Sequence, residues 1–101
     1  MIKLDFSTDF RRDYKDLITE DLQGDETREL VDQALFRFSR NPSDTRLSNH
    51  ALSGKLYGFW SFSVTDDLRI VYRWKGKNLV QLLAFGPHQK VYGIHAFSTG
   101  T

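Results

Sequence analysis

Cysteine is absent from these 101 residues, so neither a disulfide nor a thiolate metal site is open to the chain. Long apolar runs are absent as well; nothing approaches the ~20 residues that a membrane-spanning helix needs. Met1–Phe6 interrupts its apolar residues with Lys3 and Asp5, which does not read as a secretory leader. There is no internal repeat, low-complexity tract or linker, and the length leaves no room for a second core. One domain over residues 1–101, cytoplasmic and without a membrane partner, is the expectation. A strong charge of one sign is also lacking, since the formal net charge is +1. That total hides a division. Residues 1–49 carry eight Lys/Arg against eleven Asp/Glu, and residues 50–101 carry six against two. The second half is the better candidate for meeting a polyanion.

What is present is periodic. Ile2, Leu4 and Phe6 alternate with polar residues and predict a short opening strand. Ser7 and Thr8 are good helix caps, and Phe10, Tyr14, Leu17 and Ile18 make one apolar stripe of a helix running to about Leu22. Gly24 breaks that pattern, and Asp25 or Thr27 can cap a second helix with the stripe Leu30, Val31, Ala34, Leu35 and Phe38. Asn41-Pro42 ends it, because the residue before proline avoids helical backbone.

The period then changes to two. Trp60, Phe62 and Val64 share one face, with Phe59, Ser61 and Ser63 on the other. Asp66-Asp67 makes a turn into a strand over Leu68–Trp74, and residues 75–78 form a hairpin loop into a third strand over Leu79–Phe85, stopped by Gly86-Pro87. The residues from Val91 onward could add a short edge strand. The expected fold is α+β: a short N-terminal strand and a helical hairpin packed on an antiparallel meander, in the order β-α-α-β-β-β.

The second half also carries a series of short motifs in order. They are His50-Ala51-Leu52-Ser53-Gly54, Gly58-Phe59-Trp60-Ser61, Leu68-Arg69-Ile70-Val71-Tyr72, Gly86-Pro87-His88 and Val91-Tyr92. This series resembles the C-terminal halves of the YafQ and YoeB toxins of the RelE superfamily. The resemblance covers about 45 residues by motif and the whole chain by element order. It implies the toxin of a toxin–antitoxin pair, held off by a cognate antitoxin, that cleaves mRNA in the ribosomal A site. In such toxins the ribose 2′-hydroxyl attacks the adjacent phosphorus and expels the 5′-oxygen, leaving a cyclic phosphate. That chemistry needs a base, an acid and positive charge, and no cofactor or metal. His50, His88 and His95 lie on separate segments without ligand spacing, which argues against a zinc site.

The resemblance assigns roles residue by residue. His88 matches the late histidine and is the expected general acid. Arg69 matches the strand arginine; it alternates away from Leu68, Ile70, Tyr72 and Trp74 and could hold the scissile phosphate, or else pair with Asp66 or Asp67 at the surface. His50 matches the YafQ histidine, where YoeB has a glutamate, and is a candidate base; a loop-capping role is its alternative. Asp67 matches a YafQ aspartate and could accept a proton or orient a histidine, or simply make an Asx turn. Tyr92 matches the terminal aromatic that meets a nucleobase in relatives. Lys55, Arg73 and Lys90 are the remaining cations for RNA, while Phe85, Phe59 and Tyr57 are expected in the core or at its rim. Trp74 is expected at a docking surface for the antitoxin.

Two features depart from the family pattern. Ser63 stands where YafQ carries a further histidine, and the paired lysines of RelE are missing from the strand around Trp60–Ser63. The related ParE toxins share the architecture but bind DNA gyrase without catalysis, and fold alone does not separate the two.

Overall fold

The opening alternation forms β1 (Lys3–Phe6) in the computed structural model, which describes residues 1–20, 23–87 and 91. Ser7 ends the strand and starts α1 (Thr8–Glu20): its Oγ accepts a hydrogen bond from the Phe10 backbone N–H at 3.0 Å. The second helix, α2 (Gly24–Arg40), begins differently from the expectation. Gln23, and neither Asp25 nor Thr27, holds the cap position, with no side-chain cap bond. Asp25 and Glu26 lie inside the first turn, where their carboxylates face the positive end of the helix dipole. Gly24 is there for a steric reason, since a Cβ would run into the Ile18 carbonyl of α1. Asn41 closes the helix as expected, its N–H bonded to the Arg37 carbonyl at 2.8 Å.

The strands that follow are β2 (His50–Ala51), β3 (Trp60–Ser63), β4 (Leu68–Gly76) and β5 (Leu79–Pro87). Among the described residues they form one sheet with β1, in the order β1-β5-β4-β3-β2. The expected meander is β3-β4-β5, antiparallel throughout. Two additions make the sheet larger and mixed: β1 pairs in parallel with β5, and the two-residue β2 pairs with β3. The hairpin between β4 and β5 is tighter than residues 75–78, because Gly76 pairs with Leu79 and leaves Lys77-Asn78 as the turn. The suggested C-terminal edge strand lies outside the described residues apart from Val91, which is helical and buried.

Both helices cover one face of the sheet. Phe10, Val31, Ala34 and Phe38 meet Phe62, Ile70, Tyr72, Val80, Leu82 and Phe85 there. Phe38 stacks on Phe62 with centroids 4.6 Å apart and meets Tyr72 edge-on at 4.8 Å. Leu82 and Phe85 are three residues apart, which simple alternation would place on opposite faces. A bulge resolves this: Val71 pairs with Ala84 while Tyr72 pairs with Leu82, so Leu83 is the extra residue and the alternation changes phase. The other face carries a smaller cluster, in which Val71, Ala84 and Val91 pack with Leu52 and Phe59.

β1 stops opposite Leu82, and among the described residues no strand lies beside the outer edge of β5 beyond that point. Asp13 of α1 takes over. Its buried carboxylate accepts the Phe85 backbone N–H at 3.1 Å, which satisfies a donor that burial would otherwise leave costly. No helix among the described residues is long and apolar enough to cross a membrane.

Phe38→Ala removes the ring at the centre of this core, and a loss of about 3–5 kcal/mol is expected. Guanidinium denaturation should show a lower midpoint with an unchanged slope. A loss below ~1 kcal/mol would mean that α2 does not rest on the sheet in this way.

Candidate active site

The connection from α2 to β2 is built link by link. Asp44 caps a short 3-10 turn over Thr45–Leu47: its Oδ1 accepts the Arg46 backbone N–H at 3.0 Å, and its Oδ2 accepts Arg46 Nη2 at 2.7 Å. The hydrogen bonds from Arg46 hold the Asp44 carboxyl down at about 2, so this cap persists until pH falls through that value. Leu47 anchors the turn in the core. Ser48 then adopts left-handed backbone (φ 46°, ψ 45°), the single non-glycine residue with positive φ among the described residues. Asn49 is pinned from both sides. Its Oδ1 accepts the Tyr72 hydroxyl at 2.8 Å, and its Nδ2 donates to the Pro42 carbonyl at 3.1 Å. His50 follows, paired with Ser61 across β2 and β3.

The register places Ser63 opposite Arg69 and Ser61 opposite Val71, all on the sheet face turned away from the helices. The Arg69 guanidinium lies across that face. Nε donates to Ser61 Oγ at 2.7 Å, Nη1 to Ser63 Oγ at 2.6 Å, and Nη2 to the Ser48 carbonyl at 3.0 Å. His50 Nδ1 sits 3.0 Å from that same carbonyl and 3.4 Å from Arg69 Nη2. All three acceptors of Arg69 are neutral. The alternative of an ion pair with Asp66 or Asp67 does not occur, and no carboxylate among the described residues pairs with Arg69. A guanidinium fixed by neutral oxygens keeps its full charge for an incoming anion. The arrangement therefore brings a fixed, half-buried cation and an exposed imidazole together on one face of the sheet.

Other expected residues are spread more widely. Asp67 is exposed; its backbone N–H bonds to Thr65 Oγ1 at 3.2 Å, and its carboxylate has no partner among the described residues. Arg73 shares the face of Arg69 but stands four residues further along β4, roughly 13 Å away, with Nε on Gln81 Oε1 at 3.0 Å. Lys55 is exposed on the β2–β3 loop, whose turns depend on Gly54 (φ +64°) and Gly58 (φ +95°). Tyr57 in that loop is 83% exposed and belongs to neither cluster, contrary to the core-or-rim expectation, whereas Phe85 is in the core and Phe59 in the smaller cluster. Trp74 is 37% exposed and meets Tyr72 edge-on. His88, Lys90 and Tyr92 lie outside the described residues. Gly86, two positions before His88, is the register partner of Arg69.

Three contributors went unnoticed in the sequence. Ser61 and Ser63 could have been found, because alternation already put them on the face of Arg69. The Ser48 carbonyl could not, since a left-handed serine leaves no sequence signal.

Comparison with known proteins bears on the family and the fold. Residues 2–93 match the family model described as the bacterial toxin of type II toxin–antitoxin system, YafQ. The chain is similar to the crystal structure of YafQ from E. coli strain BL21(DE3), at 16% identity and a TM-score of 0.74, over 92% of this chain and 100% of that one. It is similar to a copper-bound mutant toxin from Helicobacter pylori at 23% identity and a TM-score of 0.72, over 90% of this chain and 99% of that one. It is also similar to a chain of the YoeB-YefM complex from Staphylococcus aureus at 19% identity and a TM-score of 0.67, over 87% of this chain and 98% of that one. No curated protein matches by sequence. Among the described residues, no group of three or more His, Asp or Glu is placed to hold a metal ion.

Burial pushes the Tyr72 hydroxyl up to about 12, against the opposing effect of its bond to Asn49. The unfolded chain ionises this tyrosine near 10, so the latch contributes fully below that pH and its contribution is lost as pH rises toward 12. Denaturation at pH 8 and near pH 11 should show the native protein losing about 1 kcal/mol on this account, the full linkage value at that pH discounted for residual solvent screening. Tyr72→Phe should show a smaller drop; an equal drop in both proteins would exclude Tyr72 as the source.

Proposed function

The chain belongs to the YafQ family of toxins from bacterial type II toxin–antitoxin systems, and from that membership we propose that it is a ribosome-dependent endoribonuclease cleaving mRNA. The observation that carries the reading is the Arg69 guanidinium, fixed by neutral oxygens with the exposed His50 imidazole 3.4 Å away on the same sheet face. In the proposed reaction His50 takes the proton of the ribose 2′-hydroxyl as O2′ attacks the adjacent phosphorus. Arg69 balances the charge that builds on the phosphorane oxygens. His88 gives a proton to the departing O5′, and the products are a cyclic phosphate and a free 5′-hydroxyl. Each proton has a donor and an acceptor within the chain and substrate, so the scheme needs no metal or cofactor.

Asp67 is a second candidate acceptor, exposed at the turn that begins β4. Lys55, Arg73, Lys90 and Tyr92 are assigned to RNA. Arg73 lies along the same strand face as Arg69, which suits contact with a neighbouring phosphate, and Tyr92 would stack on a base. The partners are mRNA in the ribosomal A site and a cognate antitoxin, since the type II system that defines the family pairs a toxin with an antitoxin protein. The whole chain acts as one toxin domain. A site in the cytoplasm, where ribosomes are, goes with this reading.

The test is cleavage of mRNA on programmed ribosomes by the native chain, Arg69→Ala, His50→Gln and His88→Gln. Cuts at A-site codons should fall at least ~100-fold in each variant, the scale of a lost proton transfer or transition-state charge. Intact mRNA with the native protein, together with arrested growth in cells, would replace the nuclease with a gyrase-binding toxin.

A further inference from the structure

We propose that the left-handed backbone of Ser48 is a positioning device: it aims its carbonyl so that His50 is held as the Nδ1–H tautomer and presents an unprotonated Nε2. The role of that lone pair, taking the 2′-hydroxyl proton, rests on the nuclease reading above; the tautomer itself does not.

The argument is one of donors and acceptors. Among the described residues His50 Nδ1 has two neighbours, the Ser48 carbonyl oxygen at 3.0 Å and Arg69 Nη2 at 3.4 Å. A carbonyl oxygen only accepts and a guanidinium only donates, so each neighbour calls for the opposite tautomer. Distance decides between them. At 3.0 Å an N–H···O bond is of ordinary length, whereas 3.4 Å is long for N–H···N. Arg69 Nη2 is moreover already committed, donating to the same carbonyl at 3.0 Å. One carbonyl has two lone pairs and serves both donors. Were Nδ1 unprotonated, its lone pair would face the oxygen lone pairs at 3.0 Å with nothing between them. The Nδ1–H form removes that conflict and leaves the lone pair on Nε2.

The geometry that permits this is unusual enough to need a cause. Serine gains nothing from φ 46°, and the serine hydroxyl makes none of the contacts in question. The turn is forced from both sides. The Ser48 N–H bonds back to the Thr45 carbonyl at 3.3 Å, and Asn49 is clamped between the Tyr72 hydroxyl and the Pro42 carbonyl. Between these two fixed points the peptide after Ser48 turns its oxygen toward the sheet face where Arg69 and His50 lie. Non-glycine residues held in this region commonly mark sites where the surrounding structure imposes a conformation for a purpose.

Long-range proton–nitrogen NMR of the imidazoles tests the tautomer directly in the native chain at mildly alkaline pH, with His50→Gln identifying the signal. The expected spectrum has a pyrrole-type Nδ1 and a pyridine-type Nε2 on His50; a pyridine-type Nδ1 overturns the proposal. Ser48→Gly, which adopts the same backbone freely, should keep that spectrum and leave cleavage within about 3-fold. Ser48→Val, which resists positive φ, should lose the tautomer bias and lower kcat by roughly 10–100-fold with little change in KM. A Ser48→Val protein with native spectrum and native kcat would overturn the positioning role. Should that variant fail to fold, the native spectrum and Ser48→Gly still decide. An Nδ1–H tautomer in a native protein that cuts no RNA would defeat the nuclease reading and leave the tautomer standing.

Discussion

The alternation of side chains along β4 is the constraint from which core and site both follow. Ile70 and Tyr72 are fully buried against the helices, and Arg69, Val71 and Arg73 necessarily face the other way. Slipping the strand by one residue would drive a guanidinium into an apolar core and expose Ile70 and Tyr72 to water. The position of the cation is thus fixed by hydrophobic burial on the far side of the sheet, which outweighs any single hydrogen bond that the guanidinium makes. Tyr72 carries this coupling one step further. Its ring is packed by Phe38 and Phe62, while its hydroxyl reaches Asn49 and sets the residue beside His50. Core packing and imidazole placement share one side chain.

The bulge at Leu83 performs the same service for β5. With the alternation shifted, Phe85 enters the core 6.1 Å from Phe10 and 6.3 Å from Tyr14, and Gly86 comes to lie opposite Arg69. Glycine has no side chain to lay over the guanidinium. Asp13 secures the arrangement from outside by accepting the Phe85 N–H at the point where β1 no longer pairs. The acidic first half of the chain therefore does more than solvate: one of its carboxylates closes the edge of the strand that leads to His88.

Legibility followed the range of the interaction. The α1 cap at Ser7, both apolar stripes and the three strands of the meander depend on neighbours within a few positions, and their residues announce them. Arg69 was also legible, because alternation alone told which face it would take. What could not be read were consequences of tertiary contact. β2 is two residues long and exists only because β3 is beside it. The start of α2 departs from expectation because Gly24 answers to the Ile18 carbonyl of another helix. Pairing of β1 with β5, the bulge at Leu83 and the left-handed Ser48 all belong to this class. Tyr57 shows the opposite error, an aromatic assumed to be sheltered that stands in solvent.

The departures from the family pattern gain a physical meaning from the Arg69 contacts. A serine at position 63 supplies no proton carrier, but its hydroxyl accepts Nη1 at 2.6 Å, and with Ser61 it fixes two of the three guanidinium nitrogens. A side chain that loses its rotamer freedom during folding has none left to lose when an anion arrives. One rigid arginine with no carboxylate partner among the described residues can in this way supply part of what several mobile cations supply together, which bears on a chain whose net charge is only +1. The compensation is incomplete in one respect. Long-range attraction to a polyanion depends on total charge and is not restored by rigidity. On the proposed nuclease reading, a chain built like this should rely less on electrostatic capture from solution and more on the short-range fit of phosphate to guanidinium once RNA is held in place.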